Sequence, residues 1–182
     1  MTGNPLHADA RAHFMASMGL EHEVDDDSGW GRVTMGPYLQ TGASWPSVAA
    51  LLTFADVLIG RLASQRTAPR ISITANLGVR MVAPLPDDGR LEMAATVIKT
   101  GRTMTVGETT FSAAATGEVV ASSLGTFLAS PRPQDVAPDG LRNGSFFDTP
   151  GPVAPTLAGQ VGLEVVSPGV TTVALRPDVL NA

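Results

Sequence analysis

Between Ser47 and Leu62 apolar side chains recur at Val48, Leu51, Leu52, Ala55, Ile59 and Leu62, the i, i+3, i+4, i+7 spacing of a helical stripe. Ala50, Phe54 and Val57 fill much of the opposite face and leave only Thr53, Asp56 and Arg61 as polar interruptions. The pattern therefore predicts a helix buried nearly all round. Asp56 is the exception to explain. It is the only carboxylate between Asp27 and Asp87, and burying an acid is costly unless something pairs with it.

Ahead of this helix, Ala8–Met18 has the spacing of a short amphipathic helix with Phe14, Met15 and Met18 on one side. Gly19–Val24 and Arg32–Met35 read as two strands of a hairpin around Asp25-Asp26-Asp27-Ser28-Gly29. Ser44 is the expected N-cap, with Pro46 in the first turn, where a missing N–H costs nothing. Beyond Ala68-Pro69-Arg70 the alternation becomes that of strands, at about Ile71–Val82, Arg90–Lys99, Thr103–Ala114 and Glu118–Ala129. Turn residues separate them: Pro84 to Gly89, Thr100-Gly101 and Thr116-Gly117. One buried helix followed by an antiparallel meander is an α+β layout in which the sheet wraps the helix.

Composition narrows the chemistry. A chain of 182 residues, 43% of them hydrophobic, can bury one good core with an appendage. The absence of cysteine excludes disulfides and thiolate chemistry and fits a reducing compartment. A net charge of −5 with a pI near 5.0 argues against nucleic acid as a partner, since a duplex needs a clustered basic face. The N-terminus lacks the basic, apolar, small-residue order of a secretory signal, and no apolar run is expected to cross a bilayer, so a cytoplasmic protein without a membrane partner is expected.

His7, His13 and His22 show no metal-ligand spacing and have no cysteine to join them, so no metal is expected. The Asp25-Asp26-Asp27 run lacks the alternate-position spacing of a calcium loop. Gly42-Ala43-Ser44-Trp45-Pro46 has proline where a nucleophile elbow has its last glycine, and no glycine-rich phosphate loop follows a strand.

The order hairpin, central helix, long antiparallel strands resembles the hotdog fold. Asp56 near the middle of the helix, Pro84 after the next strand, the Lys99-Thr100-Gly101-Arg102-Thr103 hairpin and the Ala115-Thr116-Gly117-Glu118-Val119-Val120-Ala121 return are similar to the phenylacetate-degradation-type (PaaI-like) acyl-CoA thioesterases over about Leu20 to Ser130.

That family opens its helix with His-Gly-Gly, where a backbone amide holds the thioester oxygen. The matching positions are Ser47-Val48-Ala49, so the motif is replaced and the amide of Val48 inherits the role, with a valine Cβ in place of a glycine's open space. The resemblance implies Asp56 as general base or nucleophile and Thr74 as the hydroxyl beside it. It also implies a site straddling a dimer interface, in a dimer or tetramer of this chain. Coenzyme A enters as part of the acyl-CoA substrate, with no resident cofactor, and Lys99 and Arg102 suit its phosphates.

Each residue also has a plainer reading. Asp56 can be a structural acid paired with Arg80 or bonded to backbone, Thr74 an ordinary strand threonine, and Lys99, Arg102, Arg70 and Arg80 solvated charges. Trp45, Phe54, Met81 and Met93 are candidates for an acyl pocket or for plain core. A hydratase of the same fold ranks lower because no histidine follows Asp56. A non-catalytic acyl-binding or assembly module is the reading from another class.

The tail adds a repeat. Pro131 to Pro155 reads as a linker, and the chain divides into a hotdog domain at 1–130, the linker at 131–155 and an incomplete second repeat at 156–182. Val161-Gly162-Leu163-Glu164 matches Met18-Gly19-Leu20-Glu21, and Thr172-Val173-Ala174-Leu175-Arg176-Pro177 matches Arg32-Val33-Thr34-Met35-Gly36-Pro37. The expectation is the opening hairpin of a second hotdog.

Overall fold

Ser47 in extended backbone and Pro69 just past the last turn bound the one long helix among the described residues, α1, Val48–Thr67. The computed structural model describes residues 18–41, 45–136, 163–167 and 170–173. Helix α1 runs one turn further than the apolar stripe predicted. Pro46 lies ahead of it rather than in its first turn, and Ser47 takes the cap position. Ser44, His7, His13 and all of the predicted Ala8–Met18 helix but Met18 fall outside the described residues, as does 137–155 of the linker.

The strands that wrap α1 form one six-stranded antiparallel sheet. In chain order they are β1 (Glu21–Val24) and β2 (Ser28–Thr34), then a 3-10 turn at Pro37–Leu39 and a short ladder of β3 (Gln40–Thr41) with β4 (Trp45–Pro46). After α1 come β5 (Ser72–Met81), β6 (Arg90–Thr100), β7 (Met104–Ala113) and β8 (Val119–Ala129). The spatial order is β1-β2-β6-β7-β8-β5, which makes ten-residue β5 an open edge. A separate two-stranded ladder pairs β9 (Leu163–Ser167) with β10 (Val170–Val173). The expected meander holds for β6, β7 and β8 only, since β5 crosses over to pair with β8 instead of β6, and β2 begins at Ser28, four residues before the expected Arg32, within the stretch read as a turn.

The helix lies close to the sheet because glycine occupies the crossing. Gly107 and Gly125 face each other across β7 and β8, and a Cβ at Gly107 would stand 2.7 Å from Ile59 Cγ2. At Gly125 it would stand 2.9 Å from the Phe127 ring, and at Gly60 on the helix 3.2 Å from the same ring. Phe54, Leu58, Ile59 and Leu62 of α1 are fully covered there, against Leu91, Phe111, Val120 and Phe127 of the sheet.

Burial all round, however, is not what the chain achieves. Val48 and Ala49 are exposed, and Leu52, Thr53, Asp56 and Gly60 are half-buried, so one side of α1 is open from its N-terminus to its middle. The reason is geometric: a single sheet layer covers one side of a cylinder about 10 Å across and leaves the other to something else. Helix α1 is also, at 20 residues, long and apolar enough to span a bilayer, contrary to the sequence expectation; its length and composition serve here as the core helix of a sheet-wrapped domain.

Candidate active site

Asp56 sits in the third turn of α1 on this open stripe, one turn after Leu52 and one before Gly60. Thr74 of β5 donates its hydroxyl hydrogen to Asp56 Oδ1 at 2.6 Å. Burial pushes the Asp56 carboxyl above its usual range, and the Thr74 hydrogen bond, which favours the charged form, offsets part of that rise. Oδ1 is thereby held, while Asp56 lies on the open stripe of the helix.

Thr74 reaches Asp56 because β5 changes phase. Leu77, Val79 and Met81 stand opposite the buried Gly125, Ser123 and Ala121 on the helix-facing side of β8, and unbroken alternation would put Thr74 on the other face. A bulge between Thr74 and Asn76 inserts Ala75, so Thr74 stands opposite buried Phe127 and Ile73 opposite exposed Leu128. Periodicity missed this. Ile71, Ile73, Leu77, Val79 and Met81 form one regular odd-numbered series, which points the wrong way for Thr74.

The remaining predicted residues are distributed as follows. Val48 is the first residue of α1, so its amide is among the four N–H groups that a helix leaves without an intrahelical acceptor, at the positive end of the dipole. Its side chain is 44% exposed, beside Trp45 at 43%. Val48 and Asp56 are eight residues apart, about 12 Å along the helix axis, too far to act on one carbonyl within one chain.

Lys99 pairs with Val106 and Arg102 caps the hairpin tip, both exposed. Lys99 on β6 lies three strands from Thr74, about 14 Å at the usual strand spacing, the β7 arm of the hairpin lies two strands away, about 10 Å, and the register puts Lys99 on the face away from α1. The structure thus brings Asp56 and Thr74 together and leaves Lys99 and Arg102 apart from them. Arg80 stands opposite Ser122 on the outer face, so the alternative Asp56–Arg80 pair does not form, and Arg70 donates to the Ser130 carbonyl at 3.2 Å. Phe54 and Met93 are core, Met81 is half-buried against that core, and Trp45 is exposed.

A second half-buried polar contact ties the hairpin to the helix. Arg61 Nη1 donates to His22 Nε2 at 2.7 Å, and burial, with the Arg61 charge, lowers the His22 pKa from 6.5 to about 4. His22 is therefore a neutral acceptor. This contact is on a different side of α1 from Asp56.

The chain matches no protein-family model and no curated protein. Among solved structures it is similar to a conserved protein from Pseudomonas aeruginosa, at 22% identity and a TM-score of 0.57, over 68% of this chain and 99% of that one. A thioesterase from Haemophilus influenzae aligns at 13% identity and a TM-score of 0.58, over 64% of this chain and 81% of that one. The PaaI protein of the Escherichia coli phenylacetic acid degradation operon aligns at 16% identity and a TM-score of 0.57, over 69% of this chain and 87% of that one. The fold is the hotdog fold. In this hotdog, α1 is the central helix, and about two thirds of the chain, the share that 18–136 makes up, accounts for most or all of each similar structure. Asp56 and Thr74 lie at the long open edge of that unit.

Proposed function

We propose that this hotdog chain hydrolyses acyl-CoA thioesters at a site completed by a facing copy of itself. One observation carries the reading: a half-buried carboxylate, Asp56, held by the Thr74 hydroxyl at 2.6 Å on the open side of the central helix. An acid raised by burial and anchored through one oxygen suits a general base. In the reaction Asp56 takes a proton from water, the water oxygen bonds to the thioester carbonyl carbon, and the C–S bond breaks. The thiolate of coenzyme A then takes up the proton. The oxyanion formed on the way is met by the Val48 amide of the facing copy, where the helix dipole adds to the N–H.

The 12 Å between Val48 and Asp56 in one chain supports a shared site, and so does the open β5 edge with its half-buried Leu77, Val79 and Met81. The thioesterase name of a structural neighbour supports the reaction class. Lys99 and Arg102 are assigned to the phosphates of coenzyme A, bound at the exposed hairpin tip across the sheet from Thr74 and so well beyond the reacting centre.

A second reading, a non-catalytic acyl-binding module, is favoured by Val48 itself, whose Cβ narrows access to the amide. Thiol release from a panel of aromatic and aliphatic acyl-CoAs separates the two. The wild type is expected to turn over at least one member, and Asp56→Asn to lose about 10²–10⁴-fold in kcat with its fold intact. A wild type that binds but hydrolyses none of the panel supports the binding module instead.

A further inference from the structure

The ladder β9–β10 lies outside the hotdog unit, and its register reproduces that of β1–β2. In the first hairpin Glu21 pairs with Arg32 and His22 with Gly31. The residues that match them in the repeat, Glu164 with Thr172 and Val165 with Thr171, are paired in the same way. The two hairpins therefore share a local sequence and a pairing frame, although the second has a shorter turn and shifts register beyond Thr171. Sequence likeness does not require shared register, because a one-residue slip would preserve the likeness and exchange the faces.

In the first copy the far edge of β2 is not free. It is laddered to β6 over seven residues, Ser28 opposite Thr96 through Thr34 opposite Arg90. The corresponding edge of β10 has no such ladder among the described residues, since β9 and β10 form a sheet of two. A two-stranded hairpin is at best marginally stable alone, and an unpaired edge is a template for pairing. This chain's own β6 is already taken by β2.

We propose that β9–β10 is a second opening hairpin whose β10 edge docks on the β6-type strand of another hotdog unit, one that lacks an opening hairpin of its own. The recognition is main-chain pairing in the β2–β6 register, which sets Thr172 opposite the position equivalent to Glu92. It is independent of the chemistry assigned to Asp56.

The chain has no cysteine, so engineered pairs report the register directly. Arg32 and Glu92 face each other across β2 and β6, within the span of a disulfide, and Arg32→Cys with Glu92→Cys in the otherwise intact chain is the reference. In a full chain whose residues 21–34 are replaced by a copy of 164–174, with Arg61→Leu because Val165 replaces His22, the grafted Thr172→Cys and Glu92→Cys should form a disulfide in comparable yield. Unfolding of this graft should stay cooperative. Moving the second cysteine two residues along the same face, to Ala94→Cys, should abolish most of the yield. A second variant deletes 18–34 and keeps the tail, so that its own β9–β10 can take the vacated edge; the same 92–172 disulfide is expected. No disulfide in either background, or equal yields at positions 92 and 94, overturns the proposal. Because no activity is read, either result leaves the thioesterase reading where it stands.

Discussion

Asp56 is governed by two opposed local effects of unequal size. Burial raises its pKa and the Thr74 hydroxyl lowers it, with burial the larger. The general base proposed for it must be ionised, so activity should fall as pH drops through its raised pKa. Removing the Thr74 donor in Thr74→Val raises that pKa further, and the acid limb of the kcat/KM profile is expected to move to higher pH. An acid limb that stays in place would mean that a group other than Asp56 sets it. At this scale the sequence showed which residue was anomalous, because an acid in an apolar helix is visible without a structure. It did not show the partner: Arg80 was the arithmetic alternative, and only the Ala75 bulge turns Thr74 to the helix side.

At the scale of elements, α1 and the sheet are held together by the absence of side chains at their crossing. Gly107→Ala would bring a Cβ to 2.7 Å from Ile59 Cγ2 and 3.0 Å from the Thr96 carbonyl oxygen, forcing α1 off the sheet. A destabilisation of about 1–3 kcal/mol is expected from this overpacking, read as a lower denaturation midpoint at unchanged slope. The His22–Arg61 contact ties β1 to the helix and carries its own pH dependence. With a folded pKa of about 4 against an ordinary 6.5, the unfolded chain takes up a proton in that window that the folded chain refuses. Stability should therefore fall as pH drops from about 6.5 toward 4, and His22→Gln should flatten that part of a thermal-unfolding series. The strands and the helix were legible from periods of 2 and 3.6 residues. The extent of burial was not, because a hydrophobic helix reads the same whether a sheet or a second chain covers its far side.

For the whole molecule, the Asp56–Thr74 bond joins the open stripe of α1 to the open edge of β5, so the proposed site lies where the two meet. In the proposed function a C2 pair of such units would set each Asp56 toward the other copy's helix N-terminus, which would resolve the 12 Å separation within one chain. The β9–β10 ladder falls on the stretch where the sequence repeats Gly-Leu-Glu, but its register needed the backbone.

The most direct test of the shared site mixes two inactive chains. Asp56→Asn removes the base, and Val48→Pro removes the amide hydrogen at the first helical position, where proline is tolerated and Ser47 is already extended. Each variant alone should be inactive in thiol release. After equal amounts are unfolded together and refolded, half of the dimers contain one of each chain and one intact site of two, so about a quarter of the wild-type rate should return. A mixture as inactive as its components would contradict a site built from Asp56 of one chain and Val48 of the other.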